Sequence, residues 1–195
     1  LERLNDIAYL SREKVLNSEM ELKDNLVHNI KLGYKLREKD GKYNYNINYQ
    51  VFLDSFGDNI LREYRDYYRI LALDLSNQYM KNDTLLITLE KLAERIILID
   101  NYSMAYPYSQ FIDELEPIYN NYLITFLYGS KNSPIFDEES NLIDDDILEQ
   151  FKVIEEKYAH TNLGHIVSNF LKELKPYNYK INKDIKKKFN QVYLR

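Results

Sequence analysis

Histidine is the side chain best suited to proton or metal chemistry near neutral pH, and this 195-residue chain has three: His28, His160 and His165. Asp24 precedes His28 by four residues, and Glu156 precedes His160 by four. On a helix that spacing puts a carboxylate and an imidazole on one face, where they could hold one metal ion. A dinuclear carboxylate bundle, by contrast, carries its Glu and His three apart and needs further glutamates facing inward. The His-Glu-x-x-His zinc pattern does not occur. Acid–histidine pairs at four-residue spacing are commonly surface hydrogen bonds or salt bridges. We assign no metal ligand.

Other catalytic constellations fail for stated reasons. No arginine stands a few residues ahead of any histidine, the pairing that some helical ribonucleases use. Asp137, Glu155 and Lys157 have the residue types of a metal-dependent nuclease, but that triplet works from a strand, and VIEEKY has helical periodicity. The acidic runs at Asp137-Glu138-Glu139 and Asp144-Asp145-Asp146 invite a calcium reading, yet no glycine lies between 130 and 163 to turn such a loop. Asp146 and Glu149 fit a helix capping box instead. With no Cys, disulfides, thiolate metal sites and cysteine nucleophiles are excluded. The five Gly form no phosphate loop, dinucleotide fingerprint or nucleophile elbow. We expect no catalytic residue and no cofactor, and the protein to be a non-enzyme.

Cationic stripes are the remaining candidates. ILREYRDYYR interleaves Arg62, Arg65 and Arg69 with Tyr64, Tyr67 and Tyr68, and on a helix the arginines could meet phosphates or bases. Asp58–Arg62, Arg62–Asp66 and Asp66–Arg69 also have ion-pair spacing, so a salt-bridged flank with tyrosines in the core is the plainer expectation. At the C-terminal end, Lys183, Lys186, Lys187 and Lys188 flank an apolar Ile185/Phe189/Val192 stripe. That is a basic amphipathic helix, a candidate for an anionic partner such as nucleic acid or a membrane surface.

These residues must sit on elements, and the periodicity is mostly helical. LERLNDIAYLSREKVLN reads as a helix, and Ser18 with Glu21 opens a second one through about Glu38, ended by Asp40-Gly41. Helices follow over about 59–80, about 85–100 with Asn82-Asp83 as its cap, around FIDEL, over IYNNYLITFLY with Pro117 in its first turn and Gly129 at its end, about 145–160, about 162–174, and from about 183. Residues 130–141 are the longest loop. KYNYNINYQ at 42–50 is the exception: it alternates Tyr43, Tyr45, Ile47 and Tyr49 with polar residues, as a strand does. YNYNIN at 43–48 is echoed by YNYKIN at 177–182. The expected fold is all-α, an irregular multi-helix bundle of about seven to eight helices over 1–195 as a single domain. The echo adds the expectation of a minor two-strand ribbon that pairs 43–49 with 177–181.

Composition bounds the function. Apolar residues at 45% and charged residues at 29% suit a packed domain rather than disorder. No apolar run approaches the ~18–20 residues that span a bilayer. Residues 112–156 carry twelve Asp/Glu against Lys131 and Lys152, whereas 175–195 carry six Lys and Arg195 against Asp184. Segments of such opposite charge are expected to lie against each other. The chain opens on Leu1, not Met, and is expected to be part of, or processed from, a longer protein. The resulting expectation is a non-enzymatic helical binding or regulatory module, for example the sensing domain of a larger bacterial protein with a protein or small-molecule partner. The alternative is a nucleic-acid-binding factor of a mobile element or phage-related system that uses the basic C-terminal helix.

Overall fold

Gly33 stops the helical reading of the N-terminal region. In the computed structural model, residues 10–11, 28–30, 33–39 and 42–194 are described, and the chain divides into two compact units, Leu1–Ser76 and Asn77–Arg195. His28 to Ile30 are helical, and Gly33 then donates to the Ile30 carbonyl at φ +90, a conformation that side-chain-bearing residues avoid. The helix expected through Glu38 therefore ends early. Tyr34–Lys39 is a strand (β2) that pairs antiparallel with Lys42–Ile47 (β3), from Tyr34 opposite Ile47 to Lys39 opposite Lys42. Leu10–Ser11 (β1) pairs with the other edge of β3, so those two residues are also strand rather than helix. The remainder of the two expected N-terminal helices lies outside the described residues.

The alternating run is thus a strand, but its partner is not its echo. Tyr34, Leu36, Tyr45 and Ile47 share one sheet face, with the Tyr34 and Tyr45 rings edge to face at 6.4 Å. Asn44 and Asn46 on the opposite face are half-buried too. Alternation ends at Asn48, whose side chain caps a helix over Tyr49–Phe56 (α1) by accepting from Val51 N. After a single 3-10 turn at Gly57–Asn59 comes Arg62–Ser76 (α2). Aromatic contact joins α1 to α2: Tyr68 stacks on Tyr49 at 5.5 Å and meets Phe52 edge-on at 4.9 Å.

The second unit is a helical bundle. It holds Leu89–Ala105 (α3), Ile112–Tyr128 (α4), Asp145–Lys157 (α5), Asn162–Leu174 (α6) and Lys183–Tyr193 (α7). α3 packs against α4, α5 and α6, and α6 also packs against α5 and α7. Its core is apolar and aromatic, with Leu92, Ile96, Leu123, Phe126, Phe151, Leu163 and Phe170 fully buried.

Local chemistry corrects several expected boundaries. Asn82 and Asp83, expected to cap a helix, take left-handed φ of 48 and 57 and turn a hairpin of Met80–Lys81 (β4) with Thr84–Leu85 (β5). Thr88 is the cap of α3. α4 is one helix with Pro117 inside it, not two segments separated there. Its buried stripe from Leu115 through Tyr119, Tyr122 and Phe126 outweighs a proline cost of about 3 kcal/mol. Asp113, whose carbonyl loses its partner, is exposed to water. Gly129 ends α4 as expected, at φ +77. The expected loop 130–141 instead contains a hairpin of Gly129–Ser130 (β6) with Ser133–Pro134 (β7), then buried Ile135 and Phe136. Asp144, not Asp146, caps α5 by accepting from Asp146 N and Ile147 N.

The echo at 177–182 pairs with the acidic segment. Leu142 bridges Lys180, while Ile143 donates to the Tyr179 carbonyl and Ile181 donates to the Asn141 carbonyl. Asn178 and Tyr179 are left-handed at φ 52 and 60, which breaks the extended run that pairing with 43–49 would need. The acidic and basic segments do lie against each other, through these backbone bonds and through Tyr128 against α7.

Two substitutions test this packing. A Cβ on Gly164 would stand 2.0 Å from the Tyr158 carbonyl oxygen. Gly164→Ala should therefore lower stability by about 1–3 kcal/mol in urea unfolding, although the same change at a free helix position would gain about 1 kcal/mol. Phe170→Ala should cost about 3–5 kcal/mol by the same measurement.

Candidate functional site

Two cationic surfaces were expected, one in each unit, and the structure treats them differently. In the first unit, Arg62 and Arg69 both reach Asp66, at 3.6 and 3.2 Å. The anticipated Asp58–Arg62 pair is not formed within 4 Å. These are exposed pairs of small energetic worth. Tyr67 is buried, and Tyr64 and Tyr68 are half-buried, so the tyrosines line the inner face of α2 while Arg62 and Arg69 point outward.

Arg65 is the exception. Its stem runs past the buried Gly57, with Cδ 4.0 Å from where a Cβ on that glycine would lie. Its Nε is buried, with no hydrogen-bond partner among the described residues. An unsatisfied buried donor costs about 1–3 kcal/mol. Beside it lies a hollow of about 220 Å³ walled by Gln50 and Asp54 of α1, Asp58 of the following turn, and Arg65 and Arg69 of α2. Gln50 Nε2 donates to Asp54 Oδ1 at 2.8 Å and fixes that carboxylate on the wall.

Neither Gln50 nor the two aspartates belonged to the expected site. The signal was present: Tyr49, Phe52, Leu53 and Phe56 recur at helical spacing. It overlapped the end of the alternating run, which concealed α1 and with it half of the hollow.

In the second unit, α7 buries Ile185 and Phe189, whereas Val192 is 62% exposed. Lys188 bonds Glu173 at 2.6 Å, and Lys186 Nζ sits 5.6 Å from the Tyr128 ring centre. Lys183 and Lys187 stay exposed and carry no ion pair among the described residues. Tyr128 donates to Asn190 Oδ1 at 2.9 Å, and burial pushes its phenol up to about 12.

The buried charges lie elsewhere in this unit. Arg95 gives Nη2 to the Asn77 carbonyl and lies over the Tyr122 ring, 5.7 Å from its centre. Asp100 accepts from Asn162 Nδ2 at 3.3 Å. Both serve packing of α3.

Of the histidines, His28 and His165 are exposed, and His160 lies in the turn beyond α5, out of line with Glu156. Asp24 lies outside the described residues. Among the described residues, no three His, Cys, Asp or Glu side chains are grouped to hold a metal, and no helix is long and apolar enough to cross a membrane.

The Tyr128 shift has a pH signature. A phenol whose folded value is raised from 10.0 to about 12 supports the fold fully below pH 10 and loses that support as pH rises to about 12. Wild-type stability should fall across that window more steeply than that of Tyr128→Phe, as alkaline urea titrations followed by circular dichroism would show.

Compared with protein-family models, curated proteins and solved structures, the chain matches none.

Proposed function

We propose that this protein is a non-enzymatic helical binding module with a regulatory, ligand-sensing role, and that its ligand seat is the charged hollow between α1 and α2. The observation that carries this reading is Arg65 on the hollow's wall, a cation without a hydrogen-bond or ion-pair partner among the described residues. The Arg65 guanidinium has no hydrogen-bond or ion-pair partner among the described residues, and an anionic ligand group in the hollow would give it the charge-assisted bonds it lacks. The sensing role is proposed from the wall's construction: Asp54 stands on α1 and Arg65 on α2, so an occupant touches both helices, and any change in their packing would be set by its differential affinity for the two arrangements.

The polyanion reading of α7 is weaker in magnitude. With Lys188 paired and Lys186 over Tyr128, the exposed lysines of α7 left without an ion pair or ring contact among the described residues are Lys183 and Lys187. Neutralising two phosphates yields a salt slope of only about −1.8 in log affinity.

Arg65→Met separates the alternatives. Methionine keeps the stem's packing and removes the unsatisfied Nε donor of the half-buried Arg65, so stability should change by less than ~1 kcal/mol or rise. At the same time, saturable binding of small ionic compounds, read by calorimetry, should disappear. A large loss of stability would make Arg65 structural and overturn the reading. So would polyanion binding that vanishes on charge reversal of Lys183 and Lys187 while Arg65→Met leaves all binding intact.

A further inference from the structure

We infer that the hollow between α1 and α2 takes a small zwitterion of the amino-acid type, an inference that rests on the binding reading above and names its ligand class. Charges of both signs surround the cavity without pairing across it. Asp54 and Asp58 line it together with Arg65 and Arg69. Asp54 is engaged by Gln50 and Arg69 by Asp66, yet neither aspartate of the wall forms an ion pair within 4 Å with either arginine of the wall. Asp58 has no hydrogen-bond or ion-pair partner among the described residues, and Arg65 has none for its buried Nε.

Opposite charges that share a wall and do not meet leave a gap with a positive side and a negative side. The occupant that satisfies both sides carries a carboxylate toward Arg65 and an ammonium toward the aspartates. Guanidinium–carboxylate and ammonium–carboxylate hydrogen bonds are the strong, charge-assisted kind.

Size and net charge narrow the class. A volume of about 220 Å³ lies below the ~300–1,000 Å³ typical of drug-sized sites, which suits an amino acid and not a nucleotide. Two acids against two bases leave no net field to attract a polyanion. The lining is polar apart from Leu53 and Gly57, so selection falls on the charged ends of the ligand more than on a large apolar side chain.

The test is a calorimetric and ¹⁵N-chemical-shift titration of the whole chain with the proteinogenic amino acids and their halves. The halves are the matching carboxylic acid without the amino group and the matching amine without the carboxylate. At least one amino acid should bind with a Kd of about 1 mM or tighter, and each half should bind about tenfold or more weakly. Shift changes should fall on α1, the Gly57–Asn59 turn and α2. Arg65→Met should abolish binding of both the amino acid and the acid half. Asp58→Asn should weaken the amino acid about tenfold and leave the acid half unchanged. Asp58 is exposed and has no partner among the described residues, so that variant keeps its fold.

An acid half that binds as tightly as its amino acid would overturn the zwitterion inference and leave the binding module standing as an anion site. Absence of binding by every amino acid, acid and amine would overturn both.

Discussion

The ring of Phe170 is the point on which the second unit depends. It projects from α6 into a cluster where Tyr128 of α4, Phe136 of the connecting segment, Phe151 of α5 and Phe189 of α7 all approach it edge-on, with centroids 5.0 to 6.3 Å away. Four elements are thereby tied to a single side chain. Edge-to-face geometry places the positive rim of one ring on the negative face of the next, and each such pair adds about 0.5–1.5 kcal/mol beyond area burial. The basic C-terminal helix is anchored through this cluster by Phe189, and its lysines face outward because its aromatic side faces in.

Close backbone approach is the second constraint on that unit. Gly164 lets the first turn of α6 lie against the Tyr158 carbonyl, and Gly129 lets α4 turn directly into a hairpin against Ser133 and Ile135. Both positions exclude a Cβ for steric reasons that no propensity scale contains. The two hairpins then lock together through Ser130, whose Oγ donates to the Asp83 carbonyl at 2.7 Å, and Ser133, whose Oγ accepts from Leu85 N at 2.9 Å.

In the first unit the economy is reversed. Where the bundle core satisfies even its buried Arg95, the surface between α1 and α2 leaves Arg65 Nε without an acceptor and Asp58 without a donor among the described residues. Local departures from full satisfaction of this kind are expected at functional sites and are offset by packing elsewhere. Tyr68 against Tyr49 and Phe52 provides that packing on the other side of the same helix pair.

Helical periodicity, caps and stops were legible in the residues: Leu92, Ile96 and Ile99 on α3, Leu163, Ile166, Val167 and Phe170 on α6, and the end of α4 at Gly129 all lie where spacing predicts. So was the strand character of 42–47, because strict alternation admits few other readings. The strand's partner was not legible from the echo at 177–182, since shared residue types say nothing of which backbones hydrogen-bond. Asp-Gly between two short runs was the better hairpin signal, and Gly33 the reason the preceding helix had to end. The candidate site shows the same division. The arginine stripe was visible as a stripe, but which arginine meets Asp66 and which is left beside a hollow depended on α1, the turn and α2 coming together. Sequence by itself determined the amphipathic faces and their ends, because those are properties of residues within one turn of each other. Only the tertiary structure decided strand partners, tolerated Pro117 inside a helix and isolated Arg65, because those outcomes turn on contacts between elements that local spacing does not encode.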